Sequence, residues 1–113
     1  MSISVNPTSL NFPDTPIGTT SASLTVVVTN NDPVNQVLLT VVSNNNVKPF
    51  PINDTAVLPN PRKFYLPNLP IAGGATRTIW VWFEPKVRTT YSFPIAFSIP
   101  GQNISVPTVG KGI

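Results

Sequence analysis

The segment Thr76-Arg77-Thr78-Ile79-Trp80-Val81-Trp82-Phe83-Glu84-Pro85 constrains the fold more than any other part of this chain. It alternates with period two, which puts Ile79, Val81 and Phe83 on one face of a β-strand and Thr78, Trp80 and Trp82 on the other. Glu84-Pro85 ends it, because a proline nitrogen donates nothing to a ladder. A half-buried strand needs only one apolar face. The two tryptophans on the second face therefore need a cover of their own, either another stretch of the same chain or a partner.

No stretch keeps a helical period for more than a turn or two, and fourteen prolines spread along the chain break any long helix. Strand patterns recur instead. Residues 3–5 and 10–12 read as a first strand split by Asn6-Pro7. Residues 21–30, 36–43, 91–99 and 103–109 alternate in the same way, and a short strand is expected at 63–66. Turn chemistry separates them at Asn30-Asn31-Asp32-Pro33, Ala72-Gly73-Gly74 and Pro100-Gly101. Pro94 faces away from Phe93 and Ile95, which predicts a bulge or an unpaired stretch there. The predicted core is Leu24, Val26, Val28, Leu39, Val41, Ile79, Val81, Phe83, Phe93, Ile95 and Phe97.

About seven short antiparallel strands with turns between them predict an all-β, immunoglobulin-like sandwich. At 113 residues it is expected to be a single domain over 1–113, long enough to bury roughly two-thirds of its unfolded surface. Residues 44–70 differ in character. Asn44-Asn45-Asn46 opens them, and Pro49, Pro51, Pro59, Pro61, Pro67 and Pro70 punctuate them. Phe50, Phe64, Tyr65 and Leu66 make the segment too apolar for a disordered linker. It reads as an ordered, proline-rich excursion that helps to cover the face carrying Trp80 and Trp82.

The composition removes most chemistry. The chain has no cysteine and no histidine, so thiolate nucleophiles, disulfides and the usual general base are absent. Serine and threonine are plentiful, but a hydroxyl nucleophile needs an activating base. Gly73-Gly74 and Gly110-Lys111-Gly112 lack the length and following helix of a phosphate loop and read as turns. Asp14, Asp54 and Glu84 are placed at one end of such a sandwich. Lysines and arginines expected at that end favour surface ion pairs over a calcium site. No enzyme, cofactor or metal is expected.

The net charge of +3 rests on seven basic residues, of which only Arg62 and Lys63 are adjacent. That is too dispersed for counterion-release binding, so no nucleic-acid partner is expected. The apolar runs are far shorter than a membrane span, and no membrane partner is expected either. Residues 1–5 lack the basic start and apolar core of a signal peptide. Asn53-Asp54-Thr55 and Asn103-Ile104-Ser105 match the glycosylation pattern, and without an export signal they read as chance matches.

The order of motifs resembles the ASH-like immunoglobulin modules, related to major sperm protein and PapD-type sandwiches. The resemblance runs from Asn6-Pro7-Thr8-Ser9-Leu10-Asn11-Phe12 through Ile17-Gly18-Thr19-Thr20 and the strand ending at Asn30-Asn31. It continues in Leu69-Pro70-Ile71-Ala72-Gly73-Gly74, in Val81-Trp82-Phe83-Glu84-Pro85 and in the closing 106–112 segment with its Gly-x-Gly end. Pro13 stands where a glycine is usual, and Thr89-Thr90-Tyr91 lacks the usual glycine before the tyrosine. The resemblance implies scaffolding and protein–protein attachment without catalysis.

Three functional expectations follow. The first is a small bacteriophage virion protein, a capsid decoration or cement subunit at the virion surface. Its partners would be capsid or other assembly subunits, and self-association into a homo-oligomer is compatible with it. The second is a cytoplasmic ASH-like scaffold or adhesion module. The third is a carbohydrate-binding module using Trp80 and Trp82. The expected partner-binding residues are Trp80, Trp82, Phe50 and Tyr65. Against that stands the purely structural alternative, in which Phe50, Tyr65 or the excursion prolines fold over the tryptophans.

Overall fold

The computed structural model describes residues 2–43 and 46–113. Met1, Asn44 and Asn45, which entered the readings of the chain start and of the excursion, lie outside the described residues. Nine strands form two sheets. They are β1 (Ile3–Asn6), β2 (Leu10–Asn11), β3 (Leu24–Asn30), β4 (Val37–Val42), β5 (Ile52–Asn53), β6 (Tyr65–Ile71), β7 (Thr76–Val81), β8 (Thr90–Ile99) and β9 (Gln102–Lys111). One sheet has the order β1-β3-β7-β5, the other β2-β9-β8-β4-β6. The architecture is the immunoglobulin-like sandwich that the alternating patterns predict. Two strands more are present than expected, because the break at Asn6-Pro7 separates β1 and β2 into different sheets and the excursion contributes β5.

The period-two reading of the tryptophan strand holds for its inner face, although β7 ends at Val81, before the expected stop at Glu84-Pro85. Ile79, Val81 and Phe83 are fully buried. Every residue of the predicted core is buried or packs partly buried against it, Leu24 and Phe93 being the partial ones. The interior also takes Phe12, Phe50 and Tyr91. Phe83 is the hub, with ring centroids 5.7 Å from Phe12, 5.4 Å from Phe50 and, edge-on, 5.7 Å from Tyr91. Offset and edge-to-face contacts of this kind add about 0.5–1.5 kcal/mol beyond area burial.

Several local expectations change. Pro94 causes no bulge, since β8 and β9 pair in unbroken register from Thr90↔Lys111 to Ile99↔Gln102. Pro94 lies directly opposite Pro107. Two opposed prolines fit an antiparallel ladder only where both nitrogens point away from each other. The β4–β8 ladder has already ended at Val42↔Ala96, so the missing donor of Pro94 interrupts nothing. The bulge occurs elsewhere. Between Leu39 and Val41 the β4–β6 register shifts by one residue, and Asn68 there has a φ of 55°.

Gly110 and Gly112 are not a turn. Gly110 pairs with Tyr91 inside β9 and Gly112 bridges to Thr15. A Cβ on Gly110 would stand 2.6 Å from Cε2 of Phe83, and one on Gly112 would collide with the Val87 carbonyl oxygen. Both glycines serve close approach of chain to chain.

The end of the sandwich at the β3–β4 connection is tied by one side chain. Asn30 is 1% exposed. Its amide donates to the carbonyls of Asn35 (2.8 Å), Ile71 (3.0 Å) and Ala72 (3.2 Å), while its oxygen accepts from the Asp32 N–H at 3.0 Å. Asp32 then accepts from the N–H groups of Val34 and Asn35, both at 2.9 Å. These hydrogen bonds hold its carboxyl below the usual carboxylate range.

Candidate interaction surface

Strand register defines the outer face of the four-stranded sheet. The pairs Ser4↔Thr29, Asn6↔Val27, Val27↔Thr78, Thr29↔Thr76 and Thr25↔Trp80 put these side chains on one surface. Asn53 of β5 flanks Trp80 on its other side. None of these residues is charged. Trp80 is half-buried among them.

Trp82 is different. It faces the same side but is only 6% exposed. The excursion runs beside it. The Trp82 N–H donates to the Pro51 carbonyl at 3.0 Å, and the Glu84 N–H donates to that of Pro49 at 2.8 Å. Glu84 shares the outer face with Trp82 by alternation, and Arg62 meets its carboxylate there at 2.8 Å. The same guanidinium donates to the Pro59 carbonyl at 3.0 Å. Pro51 and Pro59 are buried. The 51–62 segment is thus fastened beside the end of the sheet where Trp82 lies, and its Asn53 pairs with Trp80.

Two expected partner-binding residues do not join this surface. Phe50 is 0% exposed and stacks on Phe12 at 5.8 Å in the core, so it presents nothing to a partner. It follows Pro49 into the interior because the aromatic ring gains more from the Phe12–Phe83 contact than from the sheet exterior. Tyr65 is 57% exposed but opens β6 in the other sheet. Phe50 is in the core and Tyr65 is on the other sheet.

The carboxylates also separate. Asp54 pairs with Arg77 at 3.4 Å near the start of β7, whereas Glu84 pairs with Arg62 beyond its end. The expectation of one shared end fails because β5 carries Asp54 down alongside β7. Among the described residues no group of three carboxylates comes together. Burial pushes the Glu84 carboxyl up. The hydrogen bonds from Arg62 and Thr20, with the charges of Arg62 and Lys86, outweigh it and hold the group below its ordinary range.

The sheet edges are poor sites for strand addition. β6, an edge strand, contains Pro67 and Pro70. β2 and β5 are two residues long. On β1, the Ile3 N–H donates to the Gln102 side-chain oxygen at 2.7 Å and the Gln102 amide donates to the Ile3 carbonyl at 3.0 Å. That side chain occupies the place of a further strand. Short strands, prolines and capped groups are the devices that suppress edge pairing.

No family model and no curated protein matches the chain. Solved structures do. The ASH/PapD-like domain 7 of human CEP192 superposes with a TM-score of 0.67 at 14% identity, over 98% of this chain and 84% of that one. The fold is the ASH/PapD-like sandwich. WR4, a member of the MSP family from C. elegans, matches with a TM-score of 0.57 at 14% identity, over 98% of this chain and 97% of that one. A family 123 glycoside hydrolase from Clostridium perfringens matches with a TM-score of 0.60 at 13% identity, over 99% of this chain but 27% of the enzyme. None of these is described as a virion protein.

Proposed function

We propose that this chain is a non-enzymatic interaction module that attaches to a protein partner through the uncharged sheet face around Trp80. The observation that carries the reading is Trp80 itself, a large aromatic side chain left half-buried on the outer face while Trp82 is 6% exposed. Tryptophan is among the residues that dominate binding energy at interfaces. The suppressed edges argue for docking by the face rather than by strand addition. The likeness to a CEP192 domain and an MSP family member favours a scaffold module over a capsid decoration protein, and the latter expectation rests on composition alone.

The test is affinity capture from the native source with wild-type protein and a Thr78→Arg variant, which puts a charge beside Trp80 on the outer face. Wild type is expected to retain a defined protein partner at low salt and at about 0.5 M salt, where screening reaches only roughly 4 Å. Thr78→Arg is expected to lose that partner without a change in melting temperature. Retention by both forms alike would place the interaction elsewhere. Retention of glycans in place of protein would favour a carbohydrate-binding module.

A further inference from the structure

The fold gathers cations that the sequence scatters. Six of the seven basic residues, Lys48, Arg62, Lys63, Lys86, Arg88 and Lys111, lie at the end of the sandwich where β7 and β9 finish and β6 and β8 begin. Contacts connect them into one surface. Lys111 pairs with Thr90, and the Thr89 carbonyl accepts from Gly112 at 2.9 Å, which sets Arg88 beside it. Lys86 donates to the Val47 carbonyl at 3.2 Å. The Lys48 ammonium lies 5.7 Å from the ring centroid of Phe64, next to Lys63. Asp14 and Glu84 are the acidic residues at this end, and Glu84 is taken by Arg62.

We propose that this end docks on an anionic lipid bilayer. Four of the six cations are lysines, compact solvated charges without the planar fork that recognises a fixed carboxylate. Lysine is depleted from protein–protein interfaces but is a standard source of attraction to anionic leaflets. Val47 and Val87 stand among the cations, 37% and 56% exposed, at loop tips where aliphatic groups meet the headgroup boundary. Trp82 lies at this end but is only 6% exposed, and Trp80 is on the sheet face, so the end offers no stacking platform of the kind a single-stranded nucleic-acid site uses. A second copy is a poor occupant, because the carboxylates away from this end are Asp32, engaged with its own loop, and Asp54, paired with Arg77. The surface is separate from the Trp80 face, and the docking is peripheral: no helix among the described residues is long and apolar enough to cross a membrane.

Two variants with the same change in net charge test it. One neutralises the basic end (Lys63→Gln, Arg88→Gln, Lys111→Gln). The other adds three acids on strand positions and a loop away from it (Gln36→Glu, Asn103→Glu, Ser105→Glu). Vesicles of phosphatidylcholine, with and without phosphatidylserine, are sedimented with each protein after melting curves establish that each is folded. Wild type is expected to sediment with the serine-containing vesicles alone and to be released by high salt. Each cation near an anionic leaflet is worth about a five-fold change in partition, so the basic-end variant should bind about a hundred-fold more weakly. The other variant should bind like wild type. Equal binding to neutral vesicles, no vesicle binding in low salt, or equal losses in the two variants would each overturn the proposal. So would binding of duplex DNA by a protein that ignores vesicles.

Discussion

Gly110 offers the sharpest test of the packing. An alanine Cβ there would sit 2.6, 2.7 and 2.8 Å from Cε2, Cδ2 and Cζ of Phe83. All are well inside van der Waals contact. Phe83 is 0% exposed, and Phe12, Phe50 and Tyr91 close off its lateral escape. The overlap must be relieved by moving β9, which is paired with β8 along its whole length, or by repacking the four rings. Overpacking of this kind costs about 1–3 kcal/mol. For a domain of this size that is a fall in Tm of about 4–12 °C. Phe83→Leu removes the ring atoms involved at a cost of its own, about 1–2 kcal/mol, less than the ~3–5 kcal/mol of a truncation to alanine. In the Phe83→Leu background, Gly110→Ala should then be nearly neutral. Thermal melts of the four proteins form a double-mutant cycle with an expected coupling of at least about 1 kcal/mol. Additivity within about 0.5 kcal/mol, or a neutral Gly110→Ala in the wild type, would refute the placement of Phe83 against β9.

Three further outcomes follow. Val81→Asp should abolish folding, since it buries an unpaired carboxylate at a position with 0% exposure; a soluble variant melting with wild type would refute the β7 register. Asn30→Ala removes the side-chain donor to the carbonyls of Asn35 and Ile71 and the acceptor of the Asp32 N–H and should cost about 1–3 kcal/mol, measured by urea denaturation. The Glu84 carboxyl has a lowered pKa in the fold. Its contribution is therefore present above the ordinary carboxylate range and is lost as pH falls through the folded value. Glu84→Gln should lower Tm at neutral pH and narrow its gap to wild type in acid, and a gap independent of pH would contradict the Arg62 pairing.

What was legible in the sequence is what local pattern determines. Alternation assigned the two faces of β7, and Ile79, Val81 and Phe83 are inside as that pattern requires. It could not reach Phe50, which sits in a stretch without periodicity and is drawn inward by contact with Phe12 and Phe83, residues far away in the chain. Nor could it find β5, whose two residues become a strand only because β7 offers an open edge. The glycines of 110–112 look like turn residues until the Phe83 ring and the Val87 carbonyl stand against them.

The candidate surfaces follow the same division. Trp80 and Trp82 were conspicuous by residue type, but alternation puts both on one face and does not tell that Trp82 is buried while Trp80 is half-buried. The basic end is legible in part, since alternate connections of such a sandwich place Lys48, Arg62, Lys63, Lys86 and Arg88 near one end; Lys111 is the addition. Its six cations come from three separate loops and the end of β9, and strand order fixes how they converge. Once β7 and β9 run toward that end while β6 and β8 start from it, the loops converge, and a modest net charge becomes a strongly one-sided distribution. A partner that senses charge meets this molecule end-on, whereas one that senses aromatic surface meets it at the side of the four-stranded sheet. The two surfaces differ in chemistry, one a set of loop lysines and arginines, the other an uncharged sheet face around Trp80.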